Sequence, residues 1–235
     1  MRLYYTTSLR VAQEHIIPEG RLKLSTFDAV NDPFELLAAH QGDPLQRRIL
    51  KALREHWTKR LGMICFSAHW SSPLMWAHYA QNHTGVCLGI DVIEEHKVRA
   101  VVYEDDRLQG LFDASKPLGG ANHETLMRVL TTKYKQWAYE DERRVFVSRH
   151  DRDPATGHYY VDFGPTLILR EVILGVRCQT PVGRLAKLVK SSGKVLKPVT
   201  VFKTRPAFQT FTMVRQKRIS ALTVLPLRTQ GHAAA

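Results

Sequence analysis

The chain is poor in cysteine, and its last quarter is empty of acid. Cys65, Cys87 and Cys178 are the only cysteines in 235 residues, an odd and widely spaced set. They support no disulfide framework, and a reducing, intracellular setting is expected. No apolar run approaches the length of a membrane span, and Met1-Arg2-Leu3-Tyr4-Tyr5 lacks the apolar core of a signal peptide. A soluble cytoplasmic protein with no membrane partner is expected. Neither G-x-x-x-x-G-K-S/T nor G-x-G-x-x-G occurs, so phosphate cradling by a glycine loop is unsupported. The G-x-S-x-G elbow of serine hydrolases is missing too. His69, His78 and His83 stand nine and five residues apart, which does not stack them on one helical face. With no cysteine pair to join them, no metal site is expected.

Residues 172–235 hold twelve Lys or Arg and no Asp or Glu. The other 22 basic residues share 1–171 with all 22 acidic ones, so the net charge of +12 belongs to the last quarter. A polyanion partner, nucleic acid first and acidic protein second, is one source of such asymmetry; a solubilising tail is the other. Arg184, Lys187, Lys190 and Lys194 are the candidate nucleic-acid contacts.

Length and a hydrophobic content of 44% fit a single domain, read here as residues 1–214, of which 172–214 are strongly basic. Residues 215–235 are expected as a basic, disordered tail. Short strands are expected at Leu3–Tyr5, Arg21–Ser25, Met63–Ser67, Val86–Asp91, Val98–Tyr103, Tyr159–Phe163, Leu167–Leu174, Val199–Phe202 and Phe211–Val214. Helices are expected from Leu9, after Asp43-Pro44, after Ser72-Pro73, over 123–136 and after Thr180-Pro181. Gly62 is read as the close of the second of these, and 104–122 as a loop. Irregular interleaving of strands and helices indicates a mixed α+β fold.

Three segments carry candidate chemistry. In Trp137-Ala138-Tyr139-Glu140-Asp141-Glu142-Arg143-Arg144-Val145-Phe146-Val147, a strand beginning at Glu140 would put Glu140, Glu142, Arg144 and Phe146 on one face. A second carboxylate at that spacing tends to raise a carboxylate pKa while a neighbouring Arg lowers it, a tension found in working sites and also on solvated edge strands. In Cys65–Ala80, Ser67 follows a buried strand, and Trp76, His78 and Tyr79 could stack on and anchor a flat heterocycle. Core packing is the plain alternative, strongest for Trp76. In Phe27–Glu35, Asn31 and Asp32 sit between Phe27 and Phe34, where Asn-Asp-Pro is in any case a sound turn signal.

These segments in this order resemble an uncharacterised bacterial domain family. Its members carry a Leu-Tyr-x-Tyr-Thr-like strand, Phe-x-Asn-Asp-Pro-Phe-Glu, Cys-Phe-Ser before Leu-Met-Trp-x-His-Tyr-Ala, and a late Lys-x-x-x-Trp-x-Tyr-Glu-x-Glu-x-Arg. Here these are Leu3–Thr6, Phe27–Glu35, Cys65–Ala80 and Lys133–Arg144. More loosely, the pattern is similar to the ADP-ribosyltransferases, the DarT-type toxins above all. That resemblance implies a split β-sheet, two small sheets around a cleft holding NAD, with flanking helices. It implies Glu142 as the catalytic carboxylate with Glu140 assisting. Tyr5 and Thr6 would lie on the nicotinamide side, Ser67 would be the strand-end hydroxyl, and Asn31, Asp32, Trp76, His78 and Tyr79 would line the rest. The first strand departs from the pattern by having no Arg or His, and Ser67 by not lying in Ser-Thr-Ser. The implied activity is transfer of ADP-ribose from NAD to nucleic acid or protein in a toxin or defence role, with an inhibitor protein as a possible partner and no metal. Two other readings stand beside it: a non-catalytic nucleic-acid-binding module, and a nuclease in which Asp32, Glu140 and Glu142 hold Mg²⁺.

Overall fold

The computed structural model describes residues 1–27, 32, 34, 37–113, 116 and 120–226. The fold is mixed α+β, and the chain divides into two compact units. One consists of Met1–Leu22, Ala68–Glu94 and Asp162–Ala235, the other of Lys23–Ser67 and Glu95–Val161. The chain passes between the units four times, twice within short strands, β2 (Arg21–Lys23) and β9 (Tyr160–Asp162). Among the described residues, no helix is long and apolar enough to cross a membrane.

The first unit is built on strands β1 (Arg2–Thr7), β4 (Val86–Val92), β10 (Leu167–Leu174), β11 (Val199–Pro206), β12 (Met213–Arg215) and β13 (Leu222–Val224). β4 lies between β1 and β10, antiparallel to both. β11 continues the sheet parallel to β10 and also takes β12 and β13 antiparallel. β4 is buried along almost its whole length, as expected of a strand flanked on both edges. The parallel step from β10 to β11 needs a crossover, which the helix Val182–Ser191 supplies by burying Val182, Leu185, Ala186 and Val189. Trp76, Ala80, Cys87, Ile173, Phe202 and Met213 form one core. The tail expected from Arg215 is corrected in part: Leu222–Val224 returns as a strand on Val199–Val201, and residues 227–235 lie outside the described part. Phe211, expected in the last strand, lies before it and is exposed.

The second unit carries β3 (Leu61–Ser67), β5 (Val98–Ala100) and β8 (Glu142–Ser148), with β8 antiparallel to both of the others. β6 (Val102–Glu104) and β7 (Thr132–Tyr134) form a separate parallel pair. The single strand expected over Val98–Tyr103 is therefore two, broken at Val101, whose N–H is donated to the Glu142 carbonyl. Asp43 caps the helix Pro44–Thr58 by accepting the Leu45 N–H at 2.8 Å, as the Asp-Pro pair predicts. That helix stops at Thr58, and Gly62 lies inside β3 instead of closing it. The helix expected over 123–136 ends at Thr131, where two threonines in succession favour extended backbone. Phe27, Met63, Leu126 and Leu130 form one core cluster, and Ile49, Leu50, Phe112 and Val129 belong to another.

Glycine permits close approaches at Gly89 and Gly175 in the first unit, the tighter of the two against main chain. A Cβ on Gly89 would meet the Glu171 side chain, whereas one on Gly175 would lie 2.1 Å from the His83 carbonyl oxygen. Main chain cannot rotate away as a side chain can, so Gly175→Ala must move the turn. It is expected to cost about 2 kcal/mol in urea unfolding. Gly183→Ala, whose Cβ meets nothing closer than 3.9 Å, is expected to be neutral or slightly stabilising. Equal stability of the two variants would contradict this packing.

Candidate active site

The late acidic motif closes on itself around a lysine. β8 begins at Glu142, not at Glu140 as a continuous strand requires. Glu140 ends the 3-10 turn Lys135–Glu140, and Asp141 follows in the left-handed region at φ 42°. The alternation argument therefore holds for Glu142, Arg144 and Phe146 only. Glu140 joins them by the turn: its Oε2 lies 2.6 Å from Lys133 Nζ, which is 3.4 Å from Glu142 Oε2. Arg144 donates from Nε to Glu142 Oε1 at 2.7 Å, from Nη2 to Oε2 at 3.0 Å, and from Nη1 to the Leu130 carbonyl. Trp137 lays its ring 4.8 Å from Lys133 Nζ. The motif Lys-x-x-x-Trp-x-Tyr-Glu-x-Glu-x-Arg is thus one ion cluster, two carboxylates against two cations.

Its members are buried: Lys133, Glu140 and Glu142 are at most 7% exposed, and Arg144 is fully enclosed. Burial alone would raise the Glu142 pKa. The adjacent Arg144 charge and hydrogen bonds, then Lys133 and a hydrogen bond with Cys65, hold it down to about 2. The Glu142 N–H is donated to the Tyr103 hydroxyl at 2.8 Å, and burial is the main cause that pushes the Tyr103 pKa up to about 12. Ser67, the last residue of β3, pairs in register with Glu142 and donates its hydroxyl to the Glu140 carbonyl at 2.6 Å. Ser67, Glu140 and Glu142 are therefore brought together within the second unit.

Beside the cluster lies a cleft of about 230 Å³ lined by Phe34, Leu37, Tyr134, Glu104, Asp105 and Lys133, among others. Its apolar walls suit a single ring. Its rim carries Glu104, Asp105 and Asp106 together with Arg107 and Lys133. Of its lining, Glu104, Asp105, Asp106 and Arg107 fall in what reads as a polar loop, 104–122.

The other candidates fall elsewhere. Asn31 lies outside the described residues; Asp32 is buried and accepts the Phe34 N–H at 2.9 Å. Tyr5 and Thr6 lie on β1 of the first unit, with Thr6 Oγ1 3.5 Å from Cys87 Sγ. Trp76 is a core residue there, 1% exposed, and donates its indole N–H to the Trp70 carbonyl, so stacking on a ligand is corrected to packing. His78 is exposed and edge-on to the half-buried Tyr79. Arg184, Lys187, Lys190 and Lys194 are all exposed. No group of three His, Cys, Asp or Glu side chains suited to a metal converges among the described residues. Glu140 and Glu142 face ammonium and guanidinium groups, which does not favour the Mg²⁺ arrangement. Sequence reasoning passed over Lys133 and Tyr103 as site residues. The signal for Lys133 was its place at the head of the motif, masked by a helix drawn too long.

The folded pKa of Glu142 lies below its ordinary value of 4.5, so its ionised form contributes stability fully present above that pH and lost as pH falls toward about 2. Glu142→Gln also leaves a buried guanidinium without its carboxylate. It is expected to lower stability at neutral pH by about 3 kcal/mol. The gap to wild type is expected to close in urea titrations between pH 4.5 and 2. A gap that does not change with pH would contradict the assignment.

Comparison with known proteins bears on this same stretch. No curated protein and no solved structure matches the chain. Residues 75–145, which contain Tyr103, Lys133, Trp137, Glu140, Glu142 and Arg144, match the model of a family described as a protein of unknown function (DUF2971).

Proposed function

We propose that the protein is an ADP-ribosyltransferase-like enzyme that transfers ADP-ribose from NAD to a macromolecule, in a toxin or defence role. The observation that carries the reading is the register of β3 and β8. A strand-ending hydroxyl, Ser67, lies opposite a strand-opening carboxylate, Glu142, with a second carboxylate, Glu140, in the turn before it. The resemblance gives these three residues the roles of strand-end hydroxyl, catalytic carboxylate and assisting acid. A split sheet around a cleft belongs to the same proposal. Cleavage of the bond to nicotinamide develops positive charge on the ribose, and a fixed, ionised carboxylate stabilises it. Arg144 and Lys133 compete for that carboxylate. Lys133, at 3.4 Å from it, is the looser of the two partners and the one that can yield.

A second reading, a nucleic-acid-binding module, is favoured by the helix Val182–Ser191. Its buried side is apolar, while Arg184, Lys187 and Lys190 stand exposed. Phosphate contacts of this kind give binding that weakens steeply with salt. It is expected to survive Glu142→Gln and to collapse when Lys187, Lys190 and Lys194 are neutralised.

The transferase reading is tested with labelled NAD and nucleic acid or lysate. Wild type is expected to label a macromolecule, and Glu142→Gln to do so about 10²–10³-fold more slowly. Because that variant is also less stable, saturation-transfer NMR of NAD on the wild type supplies a second readout. Absence of both labelling and saturation transfer would overturn the reading.

A further inference from the structure

The most exposed large apolar side chains among the described residues are Phe208 and Phe211, at 88% and 98%. Both sit on the six-residue loop between β11 and β12, where the strands pair through Pro206 and Met213. The loop is held at its base, with the Ala207 N–H donated to the Thr212 carbonyl at 2.8 Å. The Arg205 guanidinium lies 4.1 Å from the centroid of the Phe208 ring. Arg215, Lys217 and Arg218 are exposed on the strand that leaves the loop and just beyond it. No acidic residue occurs anywhere from Val172 onward to offset them.

Burying two phenyl rings is favourable, and a fold that leaves both in water has a use for them or a reason to tolerate them. Three features select among occupants. Charge of one sign calls for a polyanion. The residues between the rings, Gln209 and Thr210, are polar, and the Thr210 and Thr212 hydroxyls lie 2.7 Å apart, so the tip is not a continuous apolar wedge for a bilayer. Finally, a ring backed by a guanidinium on one face and open on the other is arranged for a planar group. A base in a duplex hides its faces in the stack, whereas a single strand presents them.

We infer that this hairpin is a docking surface for single-stranded nucleic acid, with Phe208 and Phe211 as stacking platforms and Arg205, Arg215, Lys217 and Arg218 as backbone contacts. The inference rests on the nucleic-acid reading of the basic quarter and assigns it a strand type and a place. Stacking is sequence-tolerant because every base has a π-face, so the preference is for strandedness over sequence.

The test is fluorescence anisotropy with labelled dT and rU oligonucleotides, the matching duplexes, and vesicles containing phosphatidylserine. Wild type is expected to bind single strands more tightly than duplex. Phe208→Ala with Phe211→Ala is expected to weaken single-strand binding by roughly tenfold per ring, leaving duplex binding and the salt dependence unchanged. Both side chains lie in water, so the variant is expected to keep the wild-type melting temperature. Single-strand affinity unmoved by the double variant would overturn the hairpin site. If neutralising Lys187, Lys190 and Lys194 still abolishes that binding, the wider nucleic-acid reading survives while the hairpin does not. Binding to vesicles alone would overturn both.

Discussion

Four charged side chains taken out of water together constrain the second unit more than any other feature. Lys133, Glu140, Glu142 and Arg144 are formally neutral as a set and nearly solvent-free. Desolvating one such ion costs several kcal/mol, and only close, well-directed partners repay it. The cluster therefore tolerates little error in the backbone that delivers it. It draws residues from β7, from the 3-10 turn and from β8, and ties them to the Leu130 carbonyl at the end of the helix His123–Thr131. Losing any member leaves its partner charged and buried, a worse state than never having had the pair.

The local chemistry explains how the chain achieves this. Two β-branched threonines end the helix early and turn Lys133 inward along a short strand. Asp141 takes a left-handed conformation uncommon for a non-glycine residue, and this folds Glu140 back toward the lysine that Glu142 also reaches. Asp141 is itself held by Arg143 at 2.7 Å. The ion pairs of the first unit make a useful contrast. Arg2 and Arg170 both reach Asp91, and Arg2 also reaches Glu171, but these side chains are 19% to 32% exposed. Solvent screens such pairs, so they link β1, β4 and β10 without dictating the sheet.

What the sequence made legible followed from strong local signals. Asp43-Pro44 marked a helix start because a cap and a preset φ act within three residues. Leu167–Leu174 and Val86–Asp91 read as strands because uninterrupted apolar runs of that length have few other uses. The acidic motif was legible as a special cluster of charge, since two carboxylates and an arginine in five residues are not what an apolar packed strand selects. Its geometry was not legible. Period-two alternation from Glu140 presumed extended backbone through Asp141, and nothing in an Asp-Glu pair announces a left-handed residue. Trp76 was undecidable for a different reason: an indole suits a ligand face and a core equally, and only its enclosure by Phe202, Ile173 and Met213 decides. The break at Val101 and the strand at Leu222–Val224 depend on pairing with distant residues, which no local pattern encodes.

The central claim is that Lys133, Glu140, Glu142 and Arg144 act as one energetic unit. A double-mutant cycle between Lys133→Met and Glu140→Gln, read by urea unfolding at neutral pH, tests it most directly. The account predicts that the two losses are strongly non-additive, with a coupling of about 2 kcal/mol or more. Losses that add to within about 0.5 kcal/mol would mean that the two side chains fold independently, and would contradict it.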